Sequence, residues 1–146
     1  MKTISRRRFI AVAAATAAFP AAAMARDGGV KVMNPKEVHD GAMKGEILFV
    51  DVRTPQEWRQ TGVPEGAKPI ELAPTFLAKL NELTGGDKSK PVAFICATGA
   101  RSNYVATELA KRGWKNVIDV AGGVFGGPKG KGWKAEGLPM KPYGGK

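Results

Sequence analysis

The chain has one cysteine and one histidine among its 146 residues. A single thiol cannot close an internal disulfide, and with only His39 beside it no zinc-type ligand set can be assembled, so neither a metal centre nor another cofactor is expected. A Cys-His catalytic pair would have to use His39, which stands in the polar stretch "KEVHDG" and reads as a solvated surface residue. The five methionines do not cluster as copper ligands would. Also missing is a basic stripe interleaved with exposed aromatics, which argues against a nucleic-acid partner. The one long apolar run, 9–23, is Ala-rich and too short for a membrane anchor.

What is present begins with charge. The formal net charge is +10, while the 43% hydrophobic and 25% charged content is that of an ordinary globular domain. Part of the excess sits in "MKTISRRRFIAVAAATAAFPAAAMA" (1–25), with a basic head of Lys2, Arg6, Arg7 and Arg8, the apolar run, and the small-x-small end Ala23-Met24-Ala25. This is the pattern of a cleaved export signal. Within it "SRRRFI" (5–10) resembles the twin-arginine motif of bacterial proteins exported already folded, which implies a periplasmic location. Cleavage after Ala25 would leave 26–146 as a single domain with 19 basic and 13 acidic side chains, a net charge of +6. That excess favours a small anionic partner. No membrane partner is expected for the mature form.

Strand and helix patterns alternate through the mature chain. After "VKVM", Asn34-Pro35-Lys36-Glu37 has helix-start chemistry, with Asn as N-cap, Pro at the first helical position and Glu reaching back. "EILFVDV" (46–52) is a nearly continuous apolar run, as expected of a strand buried on both faces, and Thr54-Pro55-Gln56-Glu57 repeats the helix start. A brief strand is predicted near Ile70. In "APTFLAKLNEL" the spacing of Phe76, Leu77, Leu80 and Leu83 predicts an amphipathic helix closed by Gly85-Gly86. "PVAFIC" is a second buried strand, "RSNYVATELAKRG" a helix from Ser102 with Val105 and Leu109 inward, "NVIDV" a third strand, and "GWKAEGLP" a last helical turn. Trp58, Trp114 and Trp133 read as core or rim packing. Such alternation predicts an α/β fold with a mostly parallel sheet covered by helices on both faces, its site at the C-terminal ends of the strands.

Two turns lie at such ends. Cys96 leaves the strand "VAFI" and is followed by Ala97, Thr98, Gly99, Ala100, Arg101 and Ser102. The amides of 97–101 are expected to curl around the sulfur, and the start of the following helix adds partial positive charge, a setting that favours a reactive thiolate over an inert thiol. Gly99 permits a backbone conformation other residues avoid, and Arg101 adds a full charge. Asp51 and Arg53 occupy the second turn.

Four ordered segments, "DVRTPQEW", "GVPEGAKPI", "CATGARS" and the closing pair "GWKNVIDVAGGV" and "GWKAEGLPM", are similar to signatures of the single-domain rhodaneses, or thiosulfate sulfurtransferase-like proteins. The resemblance spans about residues 30–140 and implies a three-layer α/β fold. It also implies that Cys96 takes sulfur from a donor such as thiosulfate and carries it as a persulfide to an external thiol, cyanide or protein acceptor. Ala97 through Ser102 would hold the persulfide, Arg101 would orient the anionic donor, and Asp51 and Arg53 would support the site. Four residues separate Cys96 from Arg101. Cysteine phosphatases of this fold need a loop one residue longer, and Ser102 would then stand where their arginine belongs. The chain departs from the family in "GGVFGGPKGKGW", whose extra glycines suggest a mobile, solvated loop, or a basic lip in which Lys129 and Lys131 attract anionic donors. A sulfur carrier in a protein relay and a catalytically idle binding module are the alternatives.

Overall fold

The computed structural model describes residues 25–27 and 29–144. Of the expected leader only Ala25 falls within them, where it opens the strand β1 (Ala25–Asp27). The elements that follow are β2 (Val30–Met33), α1 (Pro35–Met43), β3 (Leu48–Asp51), α2 (Pro55–Thr61), β4 (Val63–Pro64), β5 (Ala67–Pro69), α3 (Phe76–Thr84), β6 (Val92–Ile95), α4 (Ala100–Lys111), β7 (Val117–Val120) and β8 (Met140–Lys141). The main sheet runs β1-β2-β7-β6-β3-β5 and is parallel except for the edge strand β1, while β4 and β8 form a small antiparallel ladder. This is the α/β arrangement expected from the alternating patterns.

Local chemistry sets the helix starts. The Asn34 side chain accepts from the Lys36 amide, and at α2 Thr54 and Glu57 close a reciprocal capping box behind Pro55. Strand residues then alternate between two cores. Val92 and Phe94 of β6, Val50 of β3 and Val117 of β7 join Phe76, Leu80, Val105 and Leu109 on the α3/α4 face. Ala93, Ile95, Phe49, Ile118 and Val120 meet Val38, Val124 and Trp133 on the other. All four β6 side chains are fully buried, and each large one contributes about 1.5–3 kcal/mol by leaving water.

Several expectations need correction. Helix α3 buries Phe76, Leu80 and Thr84, whereas Leu77 and Leu83 are exposed. Its contact stripe is one row of residues four apart, and Thr84 can enter the core because its hydroxyl donates to the Leu80 carbonyl at 3.0 Å. Helix α4 begins at Ala100, two residues before the expected Ser102, because Gly99 adopts a left-handed φ of 108° and acts as N-cap. The closing segment does make the expected turn, the Glu136 amide donating to the Gly132 carbonyl at 3.2 Å, and β8 follows it, with Trp133 fully buried and its Nε1–H donating to the Pro139 carbonyl at 2.9 Å. His39 is not a solvated surface residue. Its Nε2 lies 2.8 Å from Glu65 Oε2, and its ring stands edge-on to Trp133 at 5.5 Å.

Candidate active site

Strands β3, β6 and β7 deliver their C-terminal ends side by side, and the chain turns directly into a helix after β3 and β6. Cys96 is the first residue past β6 and keeps the parity of Val92 and Phe94, so its side chain enters the α3/α4 face, where it is 1% exposed. Only Ala97, Thr98 and Gly99 separate it from α4. A Cβ on Gly99 would meet nothing within 4 Å. The requirement for glycine is therefore conformational: the positive φ turns its N–H back onto Cys96 Sγ at 3.1 Å. Among the described residues this is the amide of 97–101 that bonds the sulfur, a narrower cradle than expected. Ala100 and Arg101 lie in the first turn of α4 instead, and Ser102 Oγ approaches Sγ at 3.4 Å.

Arg101 is held by a residue that sequence reasoning overlooked. Its Nη1 and Nη2 donate to Glu57 Oε2 and Oε1 at 2.8 and 2.7 Å, a bidentate pair joining α4 to α2. This pairing, with help from Thr54 and against the cost of burial, lowers the Glu57 pKa to about 2. It raises the Arg101 pKa further above its usual value. Arg101 remains 38% exposed on its side chain. A guanidinium has five N–H groups, so three are not used by the Glu57 pair. Glu57 was legible as a capping residue, and its second task depends on a partner 44 positions away.

Asp51 and Arg53 form a fully buried pair, with Arg53 Nη2 and Nε donating to Asp51 at 2.8 to 3.1 Å. Nη1 also donates to Thr61 Oγ1 and Nη2 to the Gly62 carbonyl, both at 2.9 Å. The end of β3 is thereby fastened to the end of α2. This places Glu57, and through it Arg101.

The third wall comes from the glycine-rich segment. Val124 and Phe125 donate their amides to the carbonyls of Cys96 and Ala97, both at 2.9 Å. At Gly123 a Cβ would stand 2.7 Å from the Cys96 and Ala97 carbonyl oxygens, so a side chain there would push the two loops apart. Residues 127 and 130 close a small hairpin. Lys129 reaches inward to Asp119 Oδ2 at 3.3 Å, whereas Lys131 is exposed beside Asn34, Lys36 and Glu136.

Asp119 is the second residue that sequence reasoning missed. It shares the parity of Val117, is fully buried, and accepts from Ser102 Oγ at 2.7 Å. Burial raises its pKa, against the opposing hydrogen bond from Ser102 and the charge of Lys129. A charged residue inside the apolar run "NVIDV" was the available signal.

Among the described residues no group of three or more His, Cys, Asp or Glu could hold a metal ion. No described helix is long and apolar enough to cross a membrane. The site sets one sulfur beside a backbone N–H, a hydroxyl and a helix start, with the Arg101 guanidinium in the next turn of chain. A family model described as "Rhodanese-like domain" matches residues 34–127. An uncharacterised protein of Rickettsia prowazekii is 32% identical over 110 residues, covering 68% of this chain and 86% of its own. A protein of Allochromatium vinosum named a sulfurtransferase is 29% identical over 96 residues, covering 65% and 78%. The polysulfide-sulfur transferase homodimer of Wolinella succinogenes superimposes with a TM-score of 0.57 at 27% identity, covering 80% of this chain and 81% of that one.

Proposed function

We propose that this chain, which belongs to the rhodanese-like domain family, is an exported sulfurtransferase that carries a sulfane sulfur as a persulfide on Cys96. Sulfur transfer in general is supported by the family and by the Allochromatium and Wolinella relatives. In the proposed cycle the Cys96 thiolate attacks the outer sulfur of thiosulfate, a new S–S bond forms, the donor's S–S bond breaks and sulfite leaves with the electron pair. A thiophilic acceptor then removes the outer sulfur and restores the thiolate. The N–H groups of Arg101 not used by Glu57 orient the dianionic donor, and Lys131 adds long-range attraction. The leader motif "SRRRFI" is the ground for placing the mature protein in the periplasm, by the twin-arginine route.

The observation that carries this reading is the 3.1 Å contact of the Gly99 N–H with Cys96 Sγ in a loop too short for a phosphoryl group. The test is thiocyanate formation from thiosulfate and cyanide. Wild type should turn over and Cys96→Ser should not; equal rates in both would overturn the assignment. A protein relay is the second reading. Leu72, Leu77 and Tyr104, all exposed, line an apolar groove of about 190 Å³ between α3 and α4, one helical turn from Arg101, where a partner protein could present a persulfide.

A further inference from the structure

Beneath the thiol lies a buried hydrogen-bonded chain that the sulfur-transfer reading leaves unused. Ser102 Oγ carries one proton and faces Asp119 Oδ1 at 2.7 Å, the Gly99 carbonyl at 3.3 Å and Cys96 Sγ at 3.4 Å. The shortest of these contacts is to a carboxylate buried to 0% exposure, and charge-assisted bonds are both shorter and stronger than neutral ones. An ionised Asp119 therefore accepts the hydrogen bond from the Ser102 hydroxyl. The Ser102 lone pairs are then turned to Cys96, and the proton between sulfur and oxygen has to be the thiol's own.

We propose that Asp119 is a positioning residue that acts through Ser102: the two hold Cys96 as a hydrogen-bonded thiol at rest and take up its proton when the thiolate forms. The shift balances within the protein. The Cys96 S–H bond breaks and its proton bonds to Ser102 Oγ, while the original Ser102 proton moves to Asp119 Oδ1. The result is a thiolate accepting from both the Gly99 N–H and the Ser102 hydroxyl, above a neutral Asp119 that donates to Ser102. One buried anion is exchanged for another a few ångströms away, so no new charge is created in the interior.

The surroundings set the balance between the two states. Burial raises the Asp119 pKa and so favours the neutral carboxyl. From the hairpin, Lys129 Nζ at 3.3 Å opposes it, as does Asn103 Nδ2 of α4 at 3.5 Å, both on Oδ2. Around the sulfur stand Arg101, paired to Glu57 of α2, and beyond it Asp51 of β3, whose charge Arg101 also feels. On the β2 side Lys31 reaches Asn116, at the opposite end of β7 from Asp119. Lys129 is thus the cation in direct contact with the carboxylate, and it tunes the site from below instead of attracting donors from above.

The inference deepens the proposed function and rests on Cys96 as the reacting thiol, but its test does not use sulfur transfer. Thiolate absorbance in the ultraviolet is followed against pH with Cys96→Ser as blank, alongside the infrared band of a protonated carboxyl. A shared proton predicts two titration steps in wild type with a plateau between them, and a carboxyl band present on that plateau together with the thiolate. Asp119→Asn and Ser102→Ala should each leave one step, and Lys129→Gln should raise the plateau by several-fold. A single step in wild type, or a plateau with no carboxyl band, overturns the inference even if no variant folds. Failure of the proposed function would show separately, as absence of thiocyanate from a protein whose two-step titration is intact.

Discussion

Replacing Glu57 by Gln tests how the rim of the site is held. Gln can still serve as the third residue of the capping box, so the change removes charge and leaves the cap in place. The carboxyl is displaced from 4.5 to about 2 in the folded protein, which sets a ceiling of about 3.4 kcal/mol for its contribution at neutral pH. Arg101 is 38% exposed, and solvent screening reduces the expected loss to about 1–2 kcal/mol. Because the folded pKa is depressed, the contribution is fully present above the unfolded value of 4.5 and disappears as pH falls toward about 2. Urea unfolding of both proteins across a pH series should therefore show a gap at neutral pH that drops below half near about pH 3, with unchanged m-values. A gap of constant size down to that pH would mean that the Glu57 charge is not what the fold uses.

Asp51→Asn should be more damaging, about 3–5 kcal/mol by urea unfolding, because it leaves Arg53 charged and uncompensated at 0% exposure; a loss under about 1 kcal/mol would refute the buried pair. Lys131→Gln should raise the thiosulfate concentration for half-maximal rate at low salt, with the difference vanishing as salt rises, and identical kinetics at low salt would remove Lys131 from donor attraction. Arg6→Lys with Arg7→Lys should leave precursor in the cytoplasm, as read by fractionation. Continued export of that variant would point to the general secretory route.

The parts of the fold written in local chemistry were legible before any coordinates. "EILFVDV" and "PVAFIC" are nearly continuous apolar runs because both sheet faces are covered, and Thr54-Pro55-Gln56-Glu57 specifies a helix start within four residues. Strands β1 and β8 were not legible, since segments of three and two residues at a sheet edge or in a two-strand ladder carry no periodic signal. The apolar spacing in α3 overstated its buried face: Leu77 and Leu83 line up with Phe76 and Leu80 in sequence, yet the sheet covers only one row. In the site, Cys96, Gly99 and Arg101 stood out by their spacing. Glu57 and Asp119 did not, because each gains its meaning from a partner that only folding brings near, Arg101 for one and Ser102 for the other.

The central claim is that Cys96 carries sulfur, and the mass of the intact protein after incubation with thiosulfate measures it most directly. Folded, fully reduced wild type should become heavier by one sulfur atom, cyanide should reverse the gain, and Cys96→Ser should show no change under either treatment. A wild-type protein that gains no mass, or a Cys96→Ser protein that gains as much, would contradict the account.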